Sequence, residues 1–482
     1  MMNNSEHLPL VVDLDGTLIR TDLLVESASQ YISKNLLRIF VIFYYLLKGR
    51  SQLKHFLAER VRLDAGALPY NTELLSWLKQ QKESGRLVVL ATASSEIYAE
   101  KISKYLGLFD VVYGSTMELN LKSHQKKSLL VSRYGDFGFE YVGNEDADLP
   151  IWSVSAGCYM VGGSKGLEEK VRSFNNLRLN FDSKPKNSFK NFLKAMRLHQ
   201  WLKNTLIFVP LLAAHQYKNT ELVGHSIIAF ITFGLTASSA YVLNDLIDLI
   251  DDRYHKSKRR RPFASGDVSL IYGWMLWPSL LVLAFGLSVL FLPTAYVLIQ
   301  IAYLLTTLGY SFYLKRMPII DASTLSILYT LRIVAGTVAT GVAFSFWLLT
   351  FSMFIFFSLA MVKRASELIP LYGAALEEKS KNIRGRGYQV GDMMIVKCIG
   401  VASSLISVLV LALYIQDAHS LRMYRSPEII WICCPLLLYW VSRVWLITSR
   451  GGMHDDPVVF AAKDSISWII FCVFIAAMML AK

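Results

Sequence analysis

Four carboxylates, an amide and a guanidinium crowd into Asn244-Asp245-Leu246-Ile247-Asp248-Leu249-Ile250-Asp251-Asp252-Arg253. Asp245, Asp248 and Asp252 recur three and four residues apart, the spacing that places side chains on one face of a helix. Three like charges on one face repel unless a cation neutralises them. Oxygen ligands of this kind suit Mg2+, which keeps waters and binds through one or two carboxylates plus substrate phosphates. A cationic run follows, from Lys256 through Lys258, Arg259, Arg260 and Arg261, and such groups hold phosphate oxygens. The expected chemistry is a diphosphate site beside a membrane. Asp245, Asp248 and Asp252 would hold Mg2+ with help from Asn244, and Arg253, Lys258 and Arg261 would bind phosphates. Taken alone, Arg259 to Arg261 read as a topological anchor.

A second constellation lies near the N-terminus, where Asp13-Leu14-Asp15-Gly16-Thr17 follows the short apolar run Leu8 to Val12. An aspartate at the end of a buried strand can attack phosphorus and form an aspartyl phosphate. A second aspartate two residues on can serve as general acid and base, and Gly16 permits the tight turn between strand and helix. The motif resembles the first motif of the haloacid dehalogenase (HAD) superfamily, over about residues 8–170. The resemblance implies a metal site at Asp13, Asp15 and Asp148. It also implies a phosphate-positioning hydroxyl at Thr92 and a neutralising lysine at Lys126 or Lys127. Asn144 stands where the family commonly has an aspartate, and a retained but purely regulatory or docking domain is the alternative.

These residues need elements to position them. Leu8 to Val12, Arg86 to Thr92 and Glu140 to Gly143 read as buried strands, each followed by a polar turn. Between the first two lies a helical insert, about residues 23–78, with the nearly all-apolar stretch Leu36 to Leu47. That stretch is too short to span a bilayer and is expected to form the core of a cap, with contact to the membrane surface as the alternative. The expected domains are a HAD-like phosphatase over 1–175, a polar linker over 176–190, and a membrane domain over 191–482. The polar N-terminus gives no sign of a cleavable signal peptide.

Hydrophobic residues make up 53% of the 482 residues, and mean hydropathy is +0.37. From about Leu206 onward long apolar runs dominate. Nine membrane helices are expected, near 202–214, 224–243, 271–292, 294–314, 319–341, 346–362, 393–415, 428–447 and 465–481. The net charge of +13 sits largely in loops between these spans, which fits the positive-inside rule better than nucleic-acid binding. Cations gather in the loops after spans two, four, six and eight: Arg253 to Arg261, Lys315-Arg316, Lys363-Arg364 with Lys379 to Arg386, and Arg443, Arg450 and Lys463. The opposite loops carry Lys218, Arg422 and Arg425. The cationic side, the N-terminal domain and the polar motifs are therefore all expected on the cytoplasmic face, in a bacterial inner membrane. The five cysteines show neither metal spacing nor a disulfide framework.

Further polar motifs flank the spans. Lys203 and Asn204 precede the first, with Arg197 and His199 just before them. Tyr310, Lys315, Arg316 and Asp321 join spans four and five, and Arg332 follows within span five. Lys363 and Arg364 end span six, and Asp455-Asp456-Pro457 opens the last. Ionisable residues in or near membrane helices are costly and usually functional.

This set, over about residues 190–482, resembles the UbiA superfamily of intramembrane prenyltransferases, which implies an all-α polytopic membrane domain behind a Rossmannoid α/β domain with a helical cap. Aromatic prenyltransferases of that superfamily carry a second paired-aspartate motif, whereas here Asp321 has Leu325 four residues on. The chain is more similar to the decaprenyl-phosphate phosphoribosyltransferase branch. That likeness implies transfer of 5-phosphoribose from phosphoribosyl diphosphate to a polyprenyl phosphate, with Lys315, Arg316, Tyr310, Arg332, Lys203, Asn204, Lys363 and Arg364 as further binding residues. Asp321, Asp455 and Asp456 would orient ribose or a second metal, and the HAD-like domain would then remove the 5-phosphate. Two alternatives are an aromatic prenyltransferase using a polyprenyl diphosphate and a membrane-tethered lipid phosphatase.

Overall fold

A computed structural model describes residues 8–117, 119–174, 176–181, 187–374, 387–417, 424–453 and 456–481. The chain forms two compact units, one of residues 1–197 with 241–278 and one of 198–240 with 279–482. The aspartate segment falls in the first unit, with the N-terminal residues.

In the first unit six short strands form one parallel sheet in the order β3-β2-β1-β4-β5-β6. They are β1 (Leu10–Val12), β2 (Val88–Ser95), β3 (Val111–Ser115), β4 (Glu140–Gly143), β5 (Gly157–Val161) and β6 (Leu177–Phe181). Leu10, Val11 and Val12 are buried on both faces, and β1 pairs with β2 on one side and β4 on the other. Period-two alternation sends Leu10 and Val12 to one core, with Leu74, Leu78, Leu90 and Tyr98, and Val11 to another, with Val89, Tyr141 and Trp152. The strand order reverses direction at β1, and ligands of open α/β sheets bind at the carboxyl ends of strands at such a point. Asp13 is the next residue.

Strand β6 occupies the start of the segment expected to be a linker. It is an edge strand with Arg178, Leu179 and Asn180 exposed, so its composition resembles that of a loop.

Three helices form the insert after β1: α1 (Leu23–Ser33), α2 (Arg38–Lys48) and α3 (Arg50–Arg60). Asp22 caps α1 by accepting from the N–H groups of Leu24 and Val25. The expectation for α2 is corrected: none of its residues is buried. Only Val41, Ile42 and Tyr45 lean on the small core of Leu53, Phe56, Leu57 and Val61. Twelve consecutive residues, nearly all apolar, looked like core because composition does not report which faces have partners.

Among the described residues, seven helices are long and apolar enough to cross a membrane, or eight if the pair Pro457–Lys463 and Ser465–Leu480, bent by 82°, counts as one span. The expected nine are therefore not reached. The first expected span is instead a 3-10 stretch, Leu198–Phe208, followed by the short helix Val209–Ala213. Within the second unit this stretch lies against helix Ile320–Thr340, where a Cβ on Gly336 would stand 2.0 Å from the Ile207 carbonyl oxygen.

The turn after β1 has its own steric demand. Gly16 has φ +77°, and a Cβ there would meet Asn144 Nδ2 at 2.4 Å. Gly16→Ala is expected to cost about 1–2 kcal/mol from the left-handed backbone alone, and to push Asn144 aside. A lowered Tm of the detergent-purified protein would register it.

Candidate active site

Asp13 is set at the end of β1 by its backbone N–H, which donates to Val142 O at 3.0 Å. Its carboxylate accepts from Lys126 Nζ at 2.6 Å. Lys127, the other lysine considered, makes no such bond. Asp15 Oδ1 accepts from the Leu23 N–H at 2.8 Å, and Oδ2 accepts from Ser94 Oγ at 2.6 Å and from Thr92 Oγ1 at 3.4 Å. Burial pushes Asp13 up to about 6 against the pull of Lys126. Burial, with the charges of Asp22 and Asp13, pushes Asp15 up to about 7. Burial alone would lower Lys126, but Asp13 and Asp148 outweigh it and raise it. A carboxylate beside an ammonium and a second carboxyl titrating near neutrality can act as a nucleophile and a proton donor.

Asp148 was expected to bind metal, but its oxygens serve the loop. Oδ1 accepts from Tyr141 OH at 2.8 Å, and Oδ2 accepts from the N–H groups of Asn144 and Glu145 at 2.9 and 3.2 Å. Asn144 Oδ1 accepts from Thr17 Oγ1 at 3.0 Å, which holds the amide over the turn. Ser94 went unrecognised as a site residue, although alternation along β2 puts it on the same face as Thr92.

The second cluster of the same unit is the aspartate segment. Helix Thr220–Ile247 gives way to helix Leu249–Tyr254 at Asp248, yet helical bonding continues, with Asp248 N donating to Asn244 O and Asp252 N to Asp248 O, both at 2.9 Å. The one-face spacing therefore survives the break. Arg261 Nη1 donates to Asp245 Oδ1 at 3.0 Å and to Asp252 Oδ2 at 2.5 Å. Arg197 also pairs with Asp245, with its guanidinium 5.0 Å from the centre of the Tyr241 ring. The short motif around Arg197 was noticed in the sequence, but nothing there assigned it to Asp245. Asp245 and Asp252 are almost wholly buried, and burial raises Asp252 against the pull of Arg261. Lys258 lies exposed in the adjoining turn Lys258–Arg260.

Arg253, expected at a phosphate, is engaged elsewhere. Its Nη1 and Nη2 donate to the two oxygens of Glu26 on α1 at 2.7 and 2.9 Å, and Nε donates to Ala264 O at 3.1 Å. Trp274 Nε1 donates to Ser29 Oγ at 2.7 Å, and Tyr254 OH donates to Asp64 Oδ2 at 2.7 Å. The insert after β1 is thus bonded to helix Leu249–Tyr254 and to the N-terminal part of helix Leu270–Phe291.

No three His, Cys, Asp or Glu side chains converge as a metal cage among the described residues. Two carboxylates within reach of one guanidinium nevertheless fit a Mg2+ that takes its remaining ligands from a diphosphate and water. The fit near Asp13 is a carboxylate with the Asn144 amide oxygen, a weaker donor set.

The second unit holds its own polar clusters. Lys203 Nζ donates to Asp456 Oδ2 at 2.8 Å and Lys363 Nζ to the same oxygen at 3.3 Å. Burial alone would raise Asp456, but Lys363 and Lys203 hold it well below the usual carboxylate range. Asp456 also caps helix Pro457–Lys463 through Val458 N–H at 3.1 Å. Arg332 Nε donates to Asn204 Oδ1 at 2.9 Å and Nη2 to Tyr303 OH at 3.1 Å. Asp321, expected to orient ribose or a metal, is fully buried, paired with Arg364 Nε at 2.7 Å and accepting from Tyr388 OH at 2.7 Å. Arg364 also pairs with Glu367 and donates to Tyr310 OH at 3.3 Å. Lys315 and Arg316 lie in the turn Leu314–Arg316, with Arg316 exposed. Asp455, the loop 379–386 and Arg422 lie outside the described residues.

A HAD-like sheet and a set of apolar membrane helices therefore share one chain, an integral membrane protein. The model of the UbiA prenyltransferase family matches residues 205–463, and that of haloacid dehalogenase-like hydrolases matches residues 10–138. This chain belongs to the UbiA prenyltransferase family, with a HAD-like domain in its N-terminal part. The uncharacterized protein y4nM of Sinorhizobium fredii is 36% identical over 98% of this chain and 91% of its own length. Decaprenyl-phosphate phosphoribosyltransferase of Mycobacterium tuberculosis is 33% identical over 61% of this chain and 94% of its own. A UbiA homolog from Archaeoglobus fulgidus, bound to DMAPP and Mg2+, aligns over 60% of this chain and 99% of its own at 17% identity, with a TM-score of 0.44.

The Glu26–Arg253 pair is nearly sealed from solvent. Glu26→Ala would leave a buried guanidinium without its partner, and is expected to destabilise the first unit by about 3–5 kcal/mol. Thermal unfolding should show the loss, and the exchanged pair Glu26→Arg with Arg253→Glu should recover part of it.

Proposed function

We propose that the protein transfers 5-phosphoribose from phosphoribosyl diphosphate to a polyprenyl phosphate, and that its HAD-like domain then removes the 5-phosphate. The observation that carries the first step is the pairing of Asp245 and Asp252 with Arg261 and Arg197, carboxylates and guanidinium groups in the mixture that a metal-bound diphosphate requires. The likeness to decaprenyl-phosphate phosphoribosyltransferase supports the substrates. In this reaction the bond from ribose C1 to diphosphate oxygen breaks, an oxygen of the polyprenyl phosphate bonds to C1, and diphosphate leaves.

Asp245, Asp248 and Asp252 would hold Mg2+, which supplies neutralisation of the departing charge. Arg197 and Arg261 orient diphosphate oxygens, with exposed Lys258 as a further contact. Lys203 and Lys363 form a separate anion-binding pair around Asp456. The choice of ribosyl over aromatic prenyl transfer is favoured by Asp321. It lacks an acidic partner four residues on, and Arg364 and Tyr388 already satisfy it. The cationic loops favour a site on the cytoplasmic side of a bacterial inner membrane.

In the second reaction Asp13 attacks the phosphorus of the 5-phosphate, and Asp15 gives its proton to the departing alkoxide. Asp15 then takes a proton from the water that hydrolyses the aspartyl phosphate. Lys126 holds the Asp13 carboxylate in place, while Thr92 and Ser94 orient Asp15.

Asp248→Asn is expected to abolish diphosphate release from phosphoribosyl diphosphate, polyprenyl phosphate and Mg2+. Normal turnover would remove the metal from this segment. Asp13→Ala should leave the transferase running and accumulate the 5-phosphorylated lipid by mass spectrometry. If it makes the same final lipid as wild type, the tandem reading fails.

The pH dependence of the phosphatase follows from two groups. Asp13 attacks when ionised, so the burst of leaving group should rise as pH passes about 6. Asp15 donates when protonated, so the burst should fall above about 7. Stopped-flow measurement with a chromogenic phosphomonoester checks both limbs.

A further inference from the structure

Helix α2 presents an apolar stripe with no protein partner among the described residues. Leu37, Phe40, Tyr44 and Leu47 follow one another at intervals of three and four, the spacing of one helix face. Leu47 is 89% exposed, and Leu37 and Phe40 are each 69% exposed. Phe43 and Leu46 widen the stripe. The inner face, Val41, Ile42 and Tyr45, is the side that meets α3. A face of this size exposed on a protein surface marks a contact site.

The charges around it narrow the choice of occupant. Residues 27–58 contain no aspartate or glutamate, while they include Lys34, Arg38, Lys48, Arg50 and Lys54. Lys34, Lys48 and Arg50 are exposed at the two ends of α2. Lys48 Nζ lies 4.4 Å from the centre of the Tyr44 ring, a cation–π contact that puts a positive charge at the C-terminal end of the stripe. Apolar rings and leucines with cations at the margins match the layer between acyl chains and anionic headgroups. Eleven residues of helix extend about 16 Å, too short to cross a hydrocarbon core of about 30 Å, so the helix must lie flat.

The bonding of α1 supplies a second, independent argument. Within the same unit, α1 is bonded through Glu26 to Arg253 and through Ser29 to Trp274. Trp274 belongs to Leu270–Phe291, one of the helices long and apolar enough to cross a membrane, and Arg253 follows another, Thr220–Ile247. The core packed against α2 includes Leu24, Ala28 and Tyr31 of α1. The insert is therefore fastened where membrane helices end.

We propose that α2 rests in the interfacial layer of an anionic bilayer and seats the HAD-like domain on the lipid surface. The proposal goes beyond the two reactions and depends on neither. It is tested on the full-length protein, with Cys398 and Cys472 replaced by serine, carrying Leu47→Cys labelled with the environment-sensitive dye NBD. Glu83→Cys, on an exposed site of helix Thr72–Glu83, serves as the control. The label at 47 is expected to show a several-fold higher, blue-shifted emission in nanodiscs containing phosphatidylglycerol. Nitroxides placed high on the acyl chains should quench it, and the label at 83 should show neither change. Water-like emission at position 47 would overturn the proposal. Blue-shifted emission that lipid nitroxides leave unquenched would put a protein surface on α2, a second copy of the chain included, and would overturn it equally. Labelling at Phe40→Cys repeats the measurement two turns earlier on the same face, so a local disturbance at 47 cannot decide the result.

Discussion

A carboxylate taken out of water must meet a positive charge or give up its own. That constraint orders the polar interior of this protein. Asp13 meets Lys126, Glu26 meets Arg253, Asp245 meets Arg197 and Arg261, Asp321 meets Arg364, and Asp456 meets Lys203 and Lys363. The pairs are not equivalent in what they leave available. Glu26 takes both terminal nitrogens of Arg253 and seals the pair inside the fold. Asp245 and Asp252 share a single nitrogen of Arg261, an arrangement that a cation and a diphosphate can replace without leaving a charge stranded.

Helix α1 connects the two kinds of chemistry within the first unit. Its first N–H group fixes Asp15, and one turn later Glu26 holds the arginine beside Asp252. The HAD-like motif and the aspartate segment are thus set by one short element. The whole-length likeness to y4nM of Sinorhizobium fredii shows that the two halves occur in one chain elsewhere as well.

Much of this was legible in the sequence where local pattern and chemistry coincide. The strand before Asp13, the three-and-four spacing of Asp245, Asp248 and Asp252, and the apolar runs of the membrane helices all follow from short-range periodicity. What escaped depends on partners distant in the chain. Arg253 has the spacing of a ligand, and only Glu26, 227 residues away, shows otherwise. Asp321 looks available until Arg364 and Tyr388 arrive from other segments. Strand β6 hid behind the polar composition of a sheet edge, and α2 behind an apolar composition that says nothing about burial. The stretch 202–214 reads as a short span, but it follows a 3-10 path to Phe208 and then the short helix Val209–Ala213.

The fastening of α1 also limits how the HAD-like domain can move. A lid hinged on that helix would have to tear Arg253 from Glu26 and Trp274 from Ser29 at each opening. The wall of the site that α1 forms is therefore held in place, and with it the N–H group that fixes Asp15.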